Sequence, residues 1–317
     1  MPIKIPANSP AERILNDEGV ELIETEVALR QDIRPLRILL LNLMPIKVAT
    51  EVQIARLLSH TPMQVELTWL TTRSYTPHNT SREYLEAFYR TLDDVRDEHF
   101  DALIVTGAPV ERLPFEEVEY WQELLEILDW SERHVFRRLH LCWGAQAALW
   151  REFGIDKLLF DEKLFGVFEH RVVAPRHRVL RGFPDVLMVP VSRYSGVRRE
   201  DIEARDELEI LIDSDEAGVC MVGHRKTGDI YMLNHLEYDT HTLKEEYERD
   251  LEREPRIAPP RNYFADDGPT TPRPNVWRPL AYLLFSNWNY LLYEDSPYDL
   301  TSLSRKDKAD ETAPVGG

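Results

Sequence analysis

The sequence predicts an α/β fold: a mostly parallel, doubly wound sheet with helices on both faces, and antiparallel strands added in the C-terminal half. Three observations predict it. From residue 36 to about 149, short apolar runs alternate with stretches of helical periodicity. That βαβα order is the pattern of parallel strands joined by right-handed crossovers. Beyond residue 158 it gives way to short strands separated by turns.

Residues 1–35, mixed and proline-bearing, read as an N-terminal arm, extended or partly helical. Residues 36–43 form the first buried-strand run, and 49–58 a helix turning Val52, Ile54, Ala55 and Leu58 inward. The next strand is 65–70. Ser81 opens a helix through Tyr84, Leu85, Phe88 and Leu92, and 101–106 is a third strand ending at Gly107-Ala-Pro. A helix over 118–130 leads to the strand before Cys142. In the second half, strands are expected at 186–191, 208–212, 218–223 and 230–234, with Lys226-Thr-Gly228-Asp229 closing the last two into a hairpin. A charged helix over 243–254, a proline-rich crossing over 255–274 and a final helix over 277–292 complete a single α/β domain, residues 36–300. The polar tail, 301–317, reads as disordered.

With 317 residues, 43% of them apolar, the chain can bury a substantial core. A formal charge of −18 argues against a nucleic-acid or anionic membrane partner, so an anionic substrate needs a local basic pocket. Only two cysteines occur, without zinc-type spacing, which excludes a disulfide framework and points to a reducing, cytoplasmic setting. No apolar run approaches the about 18 residues of a membrane span, and the N-terminus lacks the apolar stretch of a secretion signal.

Ligands of such sheets gather beyond the C-terminal ends of the strands. Three features fall there: Asn42-Leu-Met-Pro-Ile-Lys47, Gly107-Ala-Pro-Val-Glu111 and Cys142. In Arg138-Leu-His-Leu-Cys142-Trp-Gly144-Ala-Gln146, the thiol lies where a strand turns into a helix. First-turn amides and the helix dipole there favour a thiolate and can later hold an oxyanion. The competing reading is a small buried residue ending a core strand.

A thiol nucleophile needs a base and an orienting acceptor. If the strand continues past Asn234, His235 and Glu237 point to the same side. The same alternation brings in Asp239 and His241, which leaves a metal site as a lower-ranked alternative.

Cys-x-Gly-x-Gln followed by His-x-Glu resembles the class I glutamine amidotransferase superfamily, with its flavodoxin-like sheet. With Asn42-Leu-Met-Pro-Ile-Lys47, Thr106-Gly-Ala-Pro-Val-Glu111 and Asn234-His-Leu-Glu-Tyr238 added, the chain resembles the homoserine O-acyltransferase family of methionine biosynthesis over about residues 1–300. The resemblance implies acyl transfer from coenzyme A to the hydroxyl of L-homoserine. It implies Cys142 as the acyl-thioester residue, His235 as base and acid, and Glu237 as its orienter. It further implies substrate contacts at Lys163, Ser192 and Arg249. Independently of it, backbone amides around Trp143 and in the 107–110 loop are candidate oxyanion donors, and Lys47 can add positive potential near the tetrahedral intermediate, the competing reading being a solvated lysine at a helix start. A homodimer and no bound cofactor or metal also follow from the resemblance, acetyl-CoA being a co-substrate.

Position 111 is linked in this family to the acyl donor. A carboxylate lining the pocket repels the distal carboxylate of a succinyl group and shortens the pocket, so Glu111 predicts acetyl-CoA. If Glu111 instead faces solvent, the donor stays open. The expectation is thus a homoserine O-acetyltransferase, with a succinyltransferase, a glutaminase and a non-catalytic binding protein as alternatives.

Overall fold

The computed structural model describes residues 3–5, 8–18, 34–75, 80–265 and 270–303. They fall into two compact units, Met1–Val105 with Phe115–Leu139 and Asn289–Gly317, and Thr106–Pro114 with His140–Trp288.

The first unit contains β1 (Ile3–Lys4), α1 (Pro10–Asp17), β2 (Leu36–Leu41), α2 (Lys47–Leu58), β3 (Val65–Leu70), α3 (Arg82–Phe88), α4 (Leu92–Val95), β4 (Phe100–Val105) and α5 (Trp121–His134). It also holds most of β5 (Val135–Leu141), whose last two residues belong to the second unit. The strand order is β1-β3-β2-β4-β5. The pairings of β3 with β1 and β2, and of β2 with β4, are all parallel, Ile38 lying opposite Leu67 on one side and Ala102 on the other. Parallel central strands are covered on both faces, which is why β2 and β4 read as near-continuous apolar runs.

One charged residue interrupts β4. Asp101, fully buried, accepts from the Arg34 guanidinium at 2.8 and 2.9 Å, from the Arg37 amide at 2.8 Å and from Ser296 Oγ at 2.8 Å. Such fourfold compensation is what makes a buried carboxylate tolerable.

The single helix expected from Ser81 to Leu92 is instead two. Tyr89 leaves helical geometry, and Arg90 pairs with β3, its amide donating to Trp69 O at 2.9 Å and its carbonyl accepting from Thr71 N at 2.9 Å. Thr91 and Asp94 then form a capping box that starts α4.

The second unit contains α6 (Trp143–Phe153), β6 (Leu158–Val172), β7 (Val186–Gly196), α7 (Arg199–Glu203), β8 (Leu208–Ser214), β9 (Gly218–His224), β10 (Ile230–Met232) and α8 (Thr242–Arg253). Its strands run in the order β10-β9-β8-β6-β7, every neighbouring pair antiparallel, with β9 and β10 forming the expected hairpin. Thus a parallel first half and an antiparallel second half both follow the sequence pattern. Strand β6 does not. Its first half carries Asp161, Glu162 and Lys163 and shifts register against β7 between Leu159 and Leu164, so no period-two signal survives there.

Helix α9 (Arg278–Asp295) begins in the second unit and ends in the first. Of the N-terminal arm, residues 19–33 lie outside the described residues, as does the tail from 304 onward. No described helix is long and apolar enough to cross a membrane.

Candidate active site

Cys142 is the residue between β5 and α6. Its φ of 49° and ψ of −118° lie in the positive-φ half of the map that side chains with a Cβ avoid. The turn is pinned on both sides: the Cys142 amide donates to Met232 O at 2.7 Å, and its carbonyl accepts from Ala145 and Gln146. The thiol makes no capping hydrogen bond. Loop 106–114 lies against the turn at Gly107. A Cβ added there would stand 3.1 Å from Cys142 Cβ and 3.6 Å from Sγ, so a larger residue would crowd the nucleophile's side chain.

His235 and Glu237 meet, but not along a strand. Strand β10 ends at Met232, and residues 235–238 form a tight turn in which the Tyr238 amide donates to His235 O at 3.4 Å. His235 Nδ1 lies 2.6 Å from Glu237 Oε1, and the His235 amide donates to Pro190 O at 2.9 Å. The ring stacks on Tyr238 with centroids 4.1 Å apart. Burial alone would favour neutral imidazole, yet Glu237 and the Cys142 sulfur raise its pKa well above the ordinary histidine range. With Nδ1 committed to Glu237, Nε2 is the nitrogen left for the thiol.

The metal reading of this stretch needed a continuous extended strand, which the turn replaces. Among the described residues no group of three or more His, Cys, Asp or Glu side chains is arranged to hold a metal ion.

Glu111 turns inward rather than to solvent. Its Oε1 accepts from the Tyr194 amide at 2.9 Å. Burial raises its pKa, against the lowering pull of that amide, Lys163 and His235. Lys163 Nζ donates to Asp250 Oδ2 at 2.7 Å, lies 3.9 Å from Glu246 Oε2 and sits over the Phe165 ring. Arg249 lays its Nε and Nη2 on Asp250 Oδ1 at 2.9 and 2.8 Å. Asp250 thus joins two of the three expected substrate-contact residues, and those cations outweigh burial to hold its pKa low. Ser192, the third, is buried on β7 two residues from the carbonyl that holds His235.

Trp143 opens α6, so its amide lies in the first turn, at the positive end of the helix dipole. Lys47 belongs to the first unit. There its Nζ bonds Asn42 O, Asn42 in turn binds Tyr89 OH at 2.9 Å, and burial pulls the lysine pKa down to about 8.

Three residues with evident parts in this arrangement went unassigned in the sequence. Tyr238 shields the His235 ring and donates to Glu246 Oε1 at 2.8 Å; Glu246 and Asp250 face Lys163. Their signal was spacing: Glu246, Arg249 and Asp250 share one face of α8.

The homoserine O-succinyltransferase family model matches residues 2–298. A homoserine O-acetyltransferase of Acetivibrio thermocellus is 51% identical over 304 residues, 96% of this chain and 100% of that protein. One from Bacillus licheniformis is 49% identical over 94% of this chain and 99% of that protein, and one from Bacteroides thetaiotaomicron 46% over 96% and 100%. Among solved structures, a glutamine amidotransferase of Thermotoga maritima has a TM-score of 0.51 at 16% identity, covering 83% of this chain and 100% of that one, a likeness of fold. The chain therefore belongs to the homoserine O-succinyltransferase family, a family of acyltransferases.

Proposed function

We propose that the protein moves an acetyl group from acetyl-CoA to the hydroxyl of L-homoserine through a thioester on Cys142, in the cytoplasm, as a step of methionine synthesis. The observation that carries this reading is the buried Cys142, His235 and Glu237 array, with Glu111 turned inward onto the Tyr194 amide. Relatives near half identity named homoserine O-acetyltransferase support it.

In the first step the Cys142 thiolate attacks the thioester carbonyl. The new carbon–sulfur bond replaces the old one, and coenzyme A leaves as a thiolate that takes the His235 proton. One thioester is exchanged for another, so the step is near balance. Acylation also removes the thiolate, one of the two influences that hold His235 protonated. The imidazole's pKa falls, and it becomes the base that takes the homoserine hydroxyl proton as the alkoxide attacks and Cys142 departs. Amides at Trp143 and in the Gly107 loop are suited to the oxyanion. The zwitterionic acceptor finds cations at Lys163 and Arg249 and acceptors at Glu246 and Asp250, and Ser192 is suited to a polar contact.

The family model carries the succinyl name and the quoted relatives the acetyl name; the inward Glu111 favours acetyl. Incubation with acetyl-CoA or succinyl-CoA, each with and without homoserine, tests the reading by mass spectrometry. An acetylated Cys142 that discharges on adding homoserine is expected. Succinylation in its place would move the donor, and ammonia release from glutamine alone would replace the activity.

A further inference from the structure

Arg193 on β7 is a full positive charge at 2% exposure. Among the described residues no carboxylate lies within ion-pair distance of it. Its donors go to neutral oxygens: Nε to Asn234 Oδ1 at 3.0 Å, Nη1 to Ser195 O at 2.6 Å and Nη2 to Ala217 O at 2.6 Å. The chain is shaped to admit it, since a Cβ at Gly196 would stand 2.4 Å from Nη1. A buried cation without an anion costs several kcal/mol, so one retained in a core calls for a role or a partner.

The titratable groups acting on Arg193 are Cys142, Cys220 and Glu111. Cys220 is fully buried, with its thiol pushed up to about 12, and stays protonated. The other two, Cys142 and Glu111, both belong to the site described above.

Arg193 also leads to the base. Asn234 precedes His235, and its amide is held at both ends. Oδ1 takes Arg193 Nε, and Nδ2 donates to His170 Nε2 at 2.8 Å, while His170 Nδ1 donates to Phe168 O at 2.9 Å. This chain fixes the backbone from which His235 projects.

We infer that Arg193 is a positioning residue for acyl transfer: its fork holds Asn234 and so sets His235. The inference rests on the acyl-cysteine reading.

Three variants test the tether. Arg193→Lys keeps the charge and breaks the fork, Asn234→Ala releases the tether from its other end, and Arg193→Met removes fork and charge together. The readouts are kcat and KM for acetyl transfer across pH. Arg193→Lys and Asn234→Ala are expected to lower kcat by about 10- to 100-fold, as small misplacements of a reacting group do. The homoserine KM should stay within about twofold, the mark of an interaction that acts on the transition state. Arg193→Met, which leaves Asn234 without its partner, should lower kcat at least as far. If Arg193→Met does not fold, the two milder variants decide. Wild-type kcat and pH profile in both of them, or a raised KM with kcat unchanged, overturns the inference. Wild-type enzyme that never acylates Cys142 overturns the underlying reading instead, and is scored separately.

Discussion

Glu111 combines charge and bulk at one position. Burial already disfavours its ionised form, and Lys163 and His235 pull the other way. A succinyl chain would bring a second carboxylate into those surroundings, where like charges are poorly screened. Glu111→Gly is expected to move the kcat/KM ratio from acetyl-CoA toward succinyl-CoA by about tenfold or more, and an unchanged ratio would remove residue 111 from donor selection. Individual residues were unevenly legible in the sequence. A lone thiol at a strand-to-helix turn and a histidine two residues from a glutamate are weak signals singly, and they point to one site only when taken together with the matched motifs. Asp250 and Glu246 did not, because α8 is charged nearly throughout and reads as a solvated face until Lys163 is seen against it. Arg193 was hidden for the opposite reason: a lone arginine in an apolar strand carries no spacing to interpret.

At the scale of elements, β6 shows what a pattern can conceal. Its charged first half hid the strand, yet its second half delivers His170 to the Asn234 amide. Burial pushes the His170 pKa down to about 4, the Phe168 carbonyl opposes this and Arg193 adds to it. Because the folded pKa lies below the unfolded one, near 6.5, the unfolded chain binds the proton first as pH falls. Stability from this group is therefore complete above pH 6.5 and declines toward pH 4, by about 3 kcal/mol in all. Replacing His170 with Gln keeps a hydrogen-bonding side chain without the titration. Denaturant midpoints of the variant should flatten across that window, and a slope matching wild type would show that His170 does not carry it. The split of the expected 81–92 helix has a similar lesson: α3 and α4 each have fair helical residues, but pairing of Arg90 with β3 outweighs continuity.

For the whole molecule, the parallel-then-antiparallel order was legible because each half repeats one period. The division into units was not, because it follows contacts between segments far apart in the chain. The first unit is assembled from three stretches, the last beginning at Asn289. That last stretch is bound in: Asn289 Nδ2 donates to Leu58 O at 3.2 Å, and Ser296 Oγ donates to Asp101, which Arg34 also grips. Ending the chain after residue 288 is expected to abolish protection of β2 and β4 amides in hydrogen exchange. Asp101→Ala alone should cost about 3–5 kcal/mol, the cost of stranding a buried cation and its neighbours. Full protection in the truncated chain would show that the first unit closes without its C-terminal stretch. The positive φ at Cys142 has a consequence for how such a sequence changes over generations. Glycine would suit that turn better, so stability and chemistry select in opposite directions there. A lineage that no longer needed acyl transfer would be drawn to glycine at 142, gaining robustness as it became inert.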